Sequence, residues 1–168
     1  MKFIIHDIEN FPFVEFKQDQ AVPGYSPQWQ LEMQEFLEMS SPFVIVYDQL
    51  SMQETPEDFK QRGLWLKNHK DELNQLCKAI ICIEPDQEKR VAIRKMTEMA
   101  VKAFGIPYEI VNTREDAERI ADELTQGRGN ADAIREQIRK LDVQLQTPNG
   151  GVALKEWART TGKVLLKR

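Results

Sequence analysis

The stretch FVIVYD at residues 43–48 decides the fold. An unbroken apolar run that closes on an acid is typical of a β-strand covered on both faces. The segments AIICI at residues 79–83 and YEIV at residues 108–111 have the same character. We interpret these three segments as neighbouring strands of one sheet.

Helical segments follow each of these strands. Each begins with a side chain that favours helix N-termini, Thr55, Asp86 and Thr113, and continues with apolar residues at helical spacing. Strand, helix, strand, helix, strand, helix in this order builds a mainly parallel sheet through right-handed crossovers. The sequence therefore predicts an α/β fold with a βαβαβα core. The inward stripes of the helices that begin at Thr55 and Asp86 are expected to include Phe59, Met96 and Met99.

The two ends of the chain add to this core. Residues 2–8 and 11–17 predict an N-terminal strand pair, in which Pro12 favours an edge position. Ser26-Pro27 predicts the capped start of a helix that leads into the central strand. Beyond a glycine-rich hinge, residues 127–168 predict a helical C-terminal appendage. We therefore divide the chain into an α/β domain, residues 1–126, and this appendage.

The charge of the appendage differs from that of the domain. Residues 128–168 hold nine Lys and Arg against four Asp and Glu, whereas the whole chain has a net charge of −4. Such a basic segment can contact phosphates of nucleic acid, but the interspersed acids favour a solvated helix face or docking on an acidic protein surface. The basic side chains in question are Arg135, Arg139, Lys140, Lys155 and Arg159.

The motifs of common enzyme classes are missing from the sequence. It has neither of the common glycine-rich phosphate-binding motifs, and because both Cys fall in core-like positions, the two His alone supply too few ligands for a closed zinc site. Cys77 and Cys82 fall in apolar surroundings typical of reduced core thiols in a cytoplasmic protein. No apolar run is long enough to cross a bilayer. We therefore expect no catalytic residue, no metal, no cofactor and no membrane insertion.

Polar residues follow the three predicted strands at the edge where parallel sheets usually bind ligands. Acids at this edge can hold a cation or transfer protons, but they also mark strand ends and cap helices. The candidate binding residues at this edge are Asp48, Ser51, Thr55, Glu84, Asp86 and Thr113.

Four segments carry a family resemblance, namely residues 42–48 (PFVIVYD), 62–69 (RGLWLKNH), 78–83 (KAIICI) and the unit at 108–124. Through these segments the chain resembles the STAS-like group, relatives of bacterial anti-sigma-factor antagonists. The resemblance implies a regulatory or scaffolding module that binds a protein partner rather than an enzyme. Two alternatives stay open. One is a nucleic-acid-associated module that uses the basic appendage, and the other is a small-ligand or metal-binding protein that uses the acids at the strand ends.

Overall fold

A computed structural model describes residues 2–51 and 53–126. This part of the chain contains five strands and five α-helices, with a short 3-10 helix, Gln18–Gln20, between the second strand and the first α-helix. The strands are β1 (His6–Asp7), β2 (Phe13–Phe16), β3 (Phe43–Asp48), β4 (Cys77–Ile83) and β5 (Tyr108–Val111). The helices are α1 (Ser26–Met39), α2 (Pro56–Asn68), α3 (Lys70–Leu76), α4 (Gln87–Phe104) and α5 (Arg114–Ala121), and a π-helical turn, Asp122–Gln126, continues α5.

The strands form one sheet in the order β1-β2-β3-β4-β5. β1 is antiparallel to β2, and every other neighbouring pair is parallel. Val46 lies opposite Ile81, which in turn lies opposite Glu109 on β5. The predicted α/β fold with a mainly parallel sheet is therefore confirmed, and the predicted helical appendage lies outside the described residues.

The sheet has a separate hydrophobic core on each face. On one face, Ile45 packs with residues of α1, α2 and α3, among them Trp29 and Trp65. On the other face, Val44, Val46, Ala79 and Ile81 pack against α5 and the turn that follows it. Because side chains alternate along a strand, β3 and β4 contribute to both cores at once.

The N-terminal strand is held by a buried carboxylate. Glu32 on α1 has no exposed surface, and its oxygens accept hydrogen bonds from the backbone N–H groups of Ile4, Ile5 and His6 at 2.7–3.1 Å. His6 Nδ1 lies 2.9 Å from Glu32 Oε1, and Gln28 Nε2 donates at 2.7 Å. These donors replace water around the charge, as a buried carboxylate requires.

Burial and hydrogen bonding together set the charge states of His6 and Glu32. Burial lowers the pKa of His6 below its ordinary 6.5, although Glu32 acts against this, so the ring is neutral and donates from Nδ1. Burial alone would raise the pKa of Glu32, but the hydrogen bonds from His6, Ile5, Gln28 and Ile4 outweigh it and lower that pKa to about 2. The pair is therefore a carboxylate bound by a neutral imidazole.

The start of α1 is capped from a distance. The sequence predicts Ser26 as its N-cap, but Ser26 is the first helical residue and the preceding Tyr25 makes no capping bond through its side chain. Asp58, in the first turn of α2, instead accepts from the backbone N–H groups of Gly24 at 2.7 Å and Ser26 at 3.2 Å. These bonds lower the pKa of Asp58 against the effect of its burial. One carboxylate thus ties the N-termini of two helices together.

Other local predictions were wrong in detail. The two N-terminal strands are shorter than predicted, and Pro12 precedes an internal strand rather than occupying an edge strand, with its carbonyl accepting from Val44 N at 3.0 Å. Phe59, Met96 and Met99 were expected to face inward but are 64%, 60% and 77% exposed. None of the three side chains belongs to either hydrophobic core. Among the described helices, none has the length and apolar character needed to cross a membrane.

We predict that acid destabilises the fold through His6 and Glu32. The unfolded chain takes up a proton on His6 near pH 6.5 and on Glu32 near pH 4.5, whereas the folded chain takes up both only at lower pH. The free energy of unfolding should therefore fall as the pH drops below about 6.5, and fall further between about 4.5 and 2. Urea denaturation followed by circular dichroism at a series of pH values measures this.

The variant Glu32→Gln identifies the group responsible. Its amide NH₂ faces backbone donors, so we expect a loss of about 2–4 kcal/mol at neutral pH and a weaker dependence on acid below pH 4.5. The control is Glu38→Gln on the exposed side of the same helix, with a change under about 0.5 kcal/mol. A free energy of unfolding that stays constant from pH 7 to 3 would contradict the prediction.

Candidate functional site

Asp48 at the end of β3 is part of a small ionic cluster. Arg114, the first residue of α5, donates from Nη2 to both oxygens of Glu15 at 2.8 and 2.9 Å and lies 3.5 Å from Asp48 Oδ2. The hydrogen bond to Glu15 is the main reason that the pKa of Arg114 is raised. All three side chains are between 33% and 39% exposed, so this cluster joins β2, β3 and α5 only weakly.

The residues after β3 are held by Gln18. Its Nε2 donates to the carbonyl of Asp48 at 3.0 Å, and its Oε1 accepts from the backbone N–H of Ser51 at 2.7 Å. The predicted site residue Ser51 therefore contributes its backbone to this contact. Thr55 further on accepts from Asp58 N at 3.0 Å and caps α2, as the sequence predicts.

The remaining candidates cap helices or close turns. Asp86 accepts from Lys89 N at 3.0 Å and Thr113 from Asp116 N at 3.1 Å, so both cap their helices. Glu84 is buried, and its carboxylate accepts from Asp86 N at 2.9 Å. The six candidates thus follow successive strands, but the bonds of Glu84, Asp86 and Thr113 join residues only two or three positions apart. Within residues 2–51 and 53–126, no group of three or more His, Cys, Asp or Glu side chains is placed to hold a metal ion.

Both cysteines are core residues. Cys77 and Cys82 are free thiols on β4, each 1% exposed, and Cys77 Sγ donates to the carbonyl of Ala79 at 3.6 Å. Burial raises the pKa of each thiol to about 12. The thiolate, which is the nucleophilic form, is therefore scarce at neutral pH.

A cleft that the sequence did not predict lies between α2 and α4. Its volume is about 280 Å³. Tyr47, Cys82 and Tyr108 form part of its lining on the sheet side, and Arg62 reaches it from α2. Arg62 falls at the i+3 position after Phe59, within the helical stripe that predicts an apolar core. A charged residue in such a stripe is the signal that indicates a partly buried ion pair at this position.

Arg62 is held by a planar ion pair. Its Nε and Nη2 donate to the two oxygens of Glu54 at 2.9 and 2.6 Å, and the Tyr25 hydroxyl donates to Glu54 at 2.6 Å. Both partners are mostly buried, with 19% and 14% of their side chains exposed. Burial opposes the charge on each, but the paired bonds lower the pKa of Glu54 and raise that of Arg62. The guanidinium also lies over the Trp29 ring at 5.8 Å.

Comparisons with known proteins find similarity to phosphoribosyl-dephospho-CoA transferases. Residues 116–168 match the family described as "Phosphoribosyl-dephospho-CoA transferase MdcG C-terminal domain". A phosphoribosyl-dephospho-CoA transferase of Pseudomonas syringae pv. tomato is 53% identical over 36 residues, which are 21% of this chain and 17% of that protein. One of Pseudomonas putida is 64% identical over 28 residues, 17% of this chain and 14% of that protein. No solved structure matches significantly.

These findings overturn the interpretation as a STAS-like regulatory module. The similarity points to a family of transferases, which are enzymes, and not to the STAS-like group. The non-enzymatic protein-binding function is therefore wrong, and the nucleic-acid and strand-edge ligand alternatives fit the similarity no better. The resemblance failed because apolar strands and helix caps report burial and chain direction, which many parallel sheets share.

Several predictions remain as they were. The basic side chains Arg135, Arg139, Lys140, Lys155 and Arg159 lie outside the described residues, as does the appendage that carries them. The boundary between residues 126 and 127 is untested, and the matched segment begins eleven residues before it. Contacts with a protein partner or with nucleic acid are also untested.

We predict that neither thiol reacts readily in the folded protein. With the pKa of each near 12 and almost no exposed surface, reaction with a disulfide reagent at pH 8 should be at least ~100-fold slower than in denaturant. The absorbance of the released thiolate measures this rate, and the denatured chain should release two equivalents. A thiol that reacts at the denatured rate in the folded protein would contradict the assignment of both to the core.

Proposed function

We propose that this chain takes part in the transfer of phosphoribosyl-dephospho-CoA, and that residues 116–168 contribute the contacts to this nucleotide. The observation that carries the proposal is the match of this segment to the C-terminal domain of transferases that bear this name. Both curated relatives that share a short, highly identical stretch have the same name.

The charge of the segment suits such a substrate. Phosphoribosyl-dephospho-CoA carries several phosphate groups and is strongly anionic, and proteins bind phosphates through Arg and Lys side chains, with Arg able to form two parallel hydrogen bonds. Residues 128–168 hold nine Lys and Arg against four Asp and Glu in a chain that is acidic elsewhere. The basic residues that first suggested nucleic acid thus suit a smaller phosphorylated ligand.

The α/β body supports the start of this segment. Residue 116 lies in the first turn of α5, whose Ala117 and Ala121 are 0% and 2% exposed against the sheet. The first residues of the matched segment are therefore fixed on β3 and β4. Rigid support of this kind limits the conformational entropy that is lost when a ligand binds.

The proposal concerns only the binding of the nucleotide that is transferred. The matching stretches cover 17% and 14% of the two relatives, so the chain spans less than a fifth of either in these alignments. The acceptor of the transferred group and the residues that perform the transfer are not assigned to this chain.

We predict that the full chain binds phosphoribosyl-dephospho-CoA and that the double variant Arg135→Gln/Arg139→Gln binds it about 10- to 100-fold more weakly. The reason is that each hydrogen bond between a charged group and phosphate contributes about 1.5–3 kcal/mol. Isothermal titration calorimetry measures the Kd, and the ligand-induced rise in Tm provides a second readout.

The matched control removes the same charge from the α/β body. Lys60→Gln/Lys67→Gln changes two exposed residues on α2 and should leave the Kd within about twofold. Equal weakening by both double variants would mean that binding is non-specific attraction between charges. Failure of the unmodified chain to bind the nucleotide would refute the proposal.

A further inference from the structure

We propose that the cleft between α2 and α4 binds a small apolar molecule that carries a hydrogen-bond-accepting oxygen, in the chemical class of aromatic monocarboxylates. This inference goes beyond the proposed function, because the described residues that line the cleft lie between 47 and 108 and include none of residues 116–126. It also differs from a site at the strand ends, since none of the six acids and hydroxyls predicted there lines it.

The shape of the cleft sets the size of its occupant. Its volume of about 280 Å³ is near the lower end of the range of pockets that bind small molecules. A narrower void of about 40 Å³ continues beneath it and shares Tyr47, Arg62, Ala100 and Tyr108 with its lining. The walls are largely apolar, and a ligand of one or two fused rings matches this volume.

The cleft offers hydrogen-bond donors that the protein does not use. No hydrogen bond joins the hydroxyl of Tyr47 or Tyr108 to another residue in the described ranges, and both side chains line the cleft. Burial raises the pKa of Tyr108 to about 12 and that of Tyr47 well above its ordinary value. Both hydroxyls are therefore protonated at neutral pH and can donate to an oxygen of a ligand.

The charge of the cleft limits the charge of its occupant. Within residues 2–51 and 53–126, Arg62 and Glu54 are the only charged residues in its lining, and they neutralise each other through two hydrogen bonds. Arg62 Nη1 makes no bond within the described ranges, so one N–H side of the guanidinium remains available to an acceptor. A neutral ion pair with one open donor side suits a single carboxylate and does not suit the several charges of a phosphorylated nucleotide.

Two apolar side chains contribute to the rim of the cleft. Phe59 on α2 and Met96 on α4 are 64% and 60% exposed, although their helical positions predict burial. A ligand that covers large apolar side chains on both sides of a concave site removes their apolar surface from water, which favours binding. They account for affinity towards an apolar ring, whereas the tyrosine hydroxyls and Arg62 account for its orientation.

The experiment compares two probes that share a naphthalene ring and carry opposite charges. We expect 2-naphthoate to bind the full chain in isothermal titration calorimetry, and 2-naphthylmethylammonium to bind at least about tenfold more weakly. The variant Tyr47→Phe/Tyr108→Phe removes only the two unused hydroxyls, so it should fold with unchanged Tm. It should raise the Kd for 2-naphthoate about three- to tenfold for each bond lost.

Controls separate the cleft from general adsorption to apolar surface. Met96→Ala at the rim should weaken binding of 2-naphthoate, whereas Met99→Ala, which is 77% exposed and outside the lining, should not. Phosphoribosyl-dephospho-CoA should not displace the probe, so the outcome is independent of the proposed function. Equal affinity for the two probes, an unchanged Kd in the double Phe variant, or no binding of 2-naphthoate at millimolar concentration would overturn the proposal.

Discussion

The structure depends on the burial of β3 and β4 on both faces at once. A parallel strand in this position needs a helical layer above and below it, because its alternating side chains are apolar on both sides. Three helices, α1 to α3, contribute to the core on one face, whereas α5 and the turn after it form the other with Ala117, Ala121 and Leu124, all under 5% exposed. Loss of this smaller layer would expose the second face of β3 and β4 to water.

This constraint joins the two parts of the chain. The segment that resembles the transferase domain begins at residue 116, inside the helix that covers the second face of the sheet. Its first residues thus belong to the core of the α/β body. Under the proposed function, a ligand bound further along the segment would stabilise the whole domain through α5. On the opposite face, the cleft lined by Arg62 and the two tyrosines is a separate feature with its own chemistry.

Much of the fold followed from local sequence. The strands β3, β4 and β5 and the caps at Thr55, Asp86 and Thr113 each depend on a few consecutive residues, so their patterns were sufficient. The Glu32 bonds to Ile4, Ile5 and His6 join residues 26 to 28 positions apart, and Asp58 caps α1 from 32 positions away. No local pattern contains such pairs. The STAS-like interpretation was wrong because apolar patterning does not distinguish one parallel α/β protein from another.

Hydrogen exchange of the backbone amides of β3 and β4, measured with and without phosphoribosyl-dephospho-CoA, tests most directly whether the matched segment and the sheet form one cooperative unit. The amides of Val46 and Ile81 exchange chiefly through global unfolding if the strands lie in the most stable part of the domain. A ligand bound to residues 116–168 should then slow their exchange by the factor 1 + [L]/Kd, about 100-fold at 100 times Kd. Slower exchange confined to the C-terminal segment, with the strand amides unchanged, would contradict the coupling through α5.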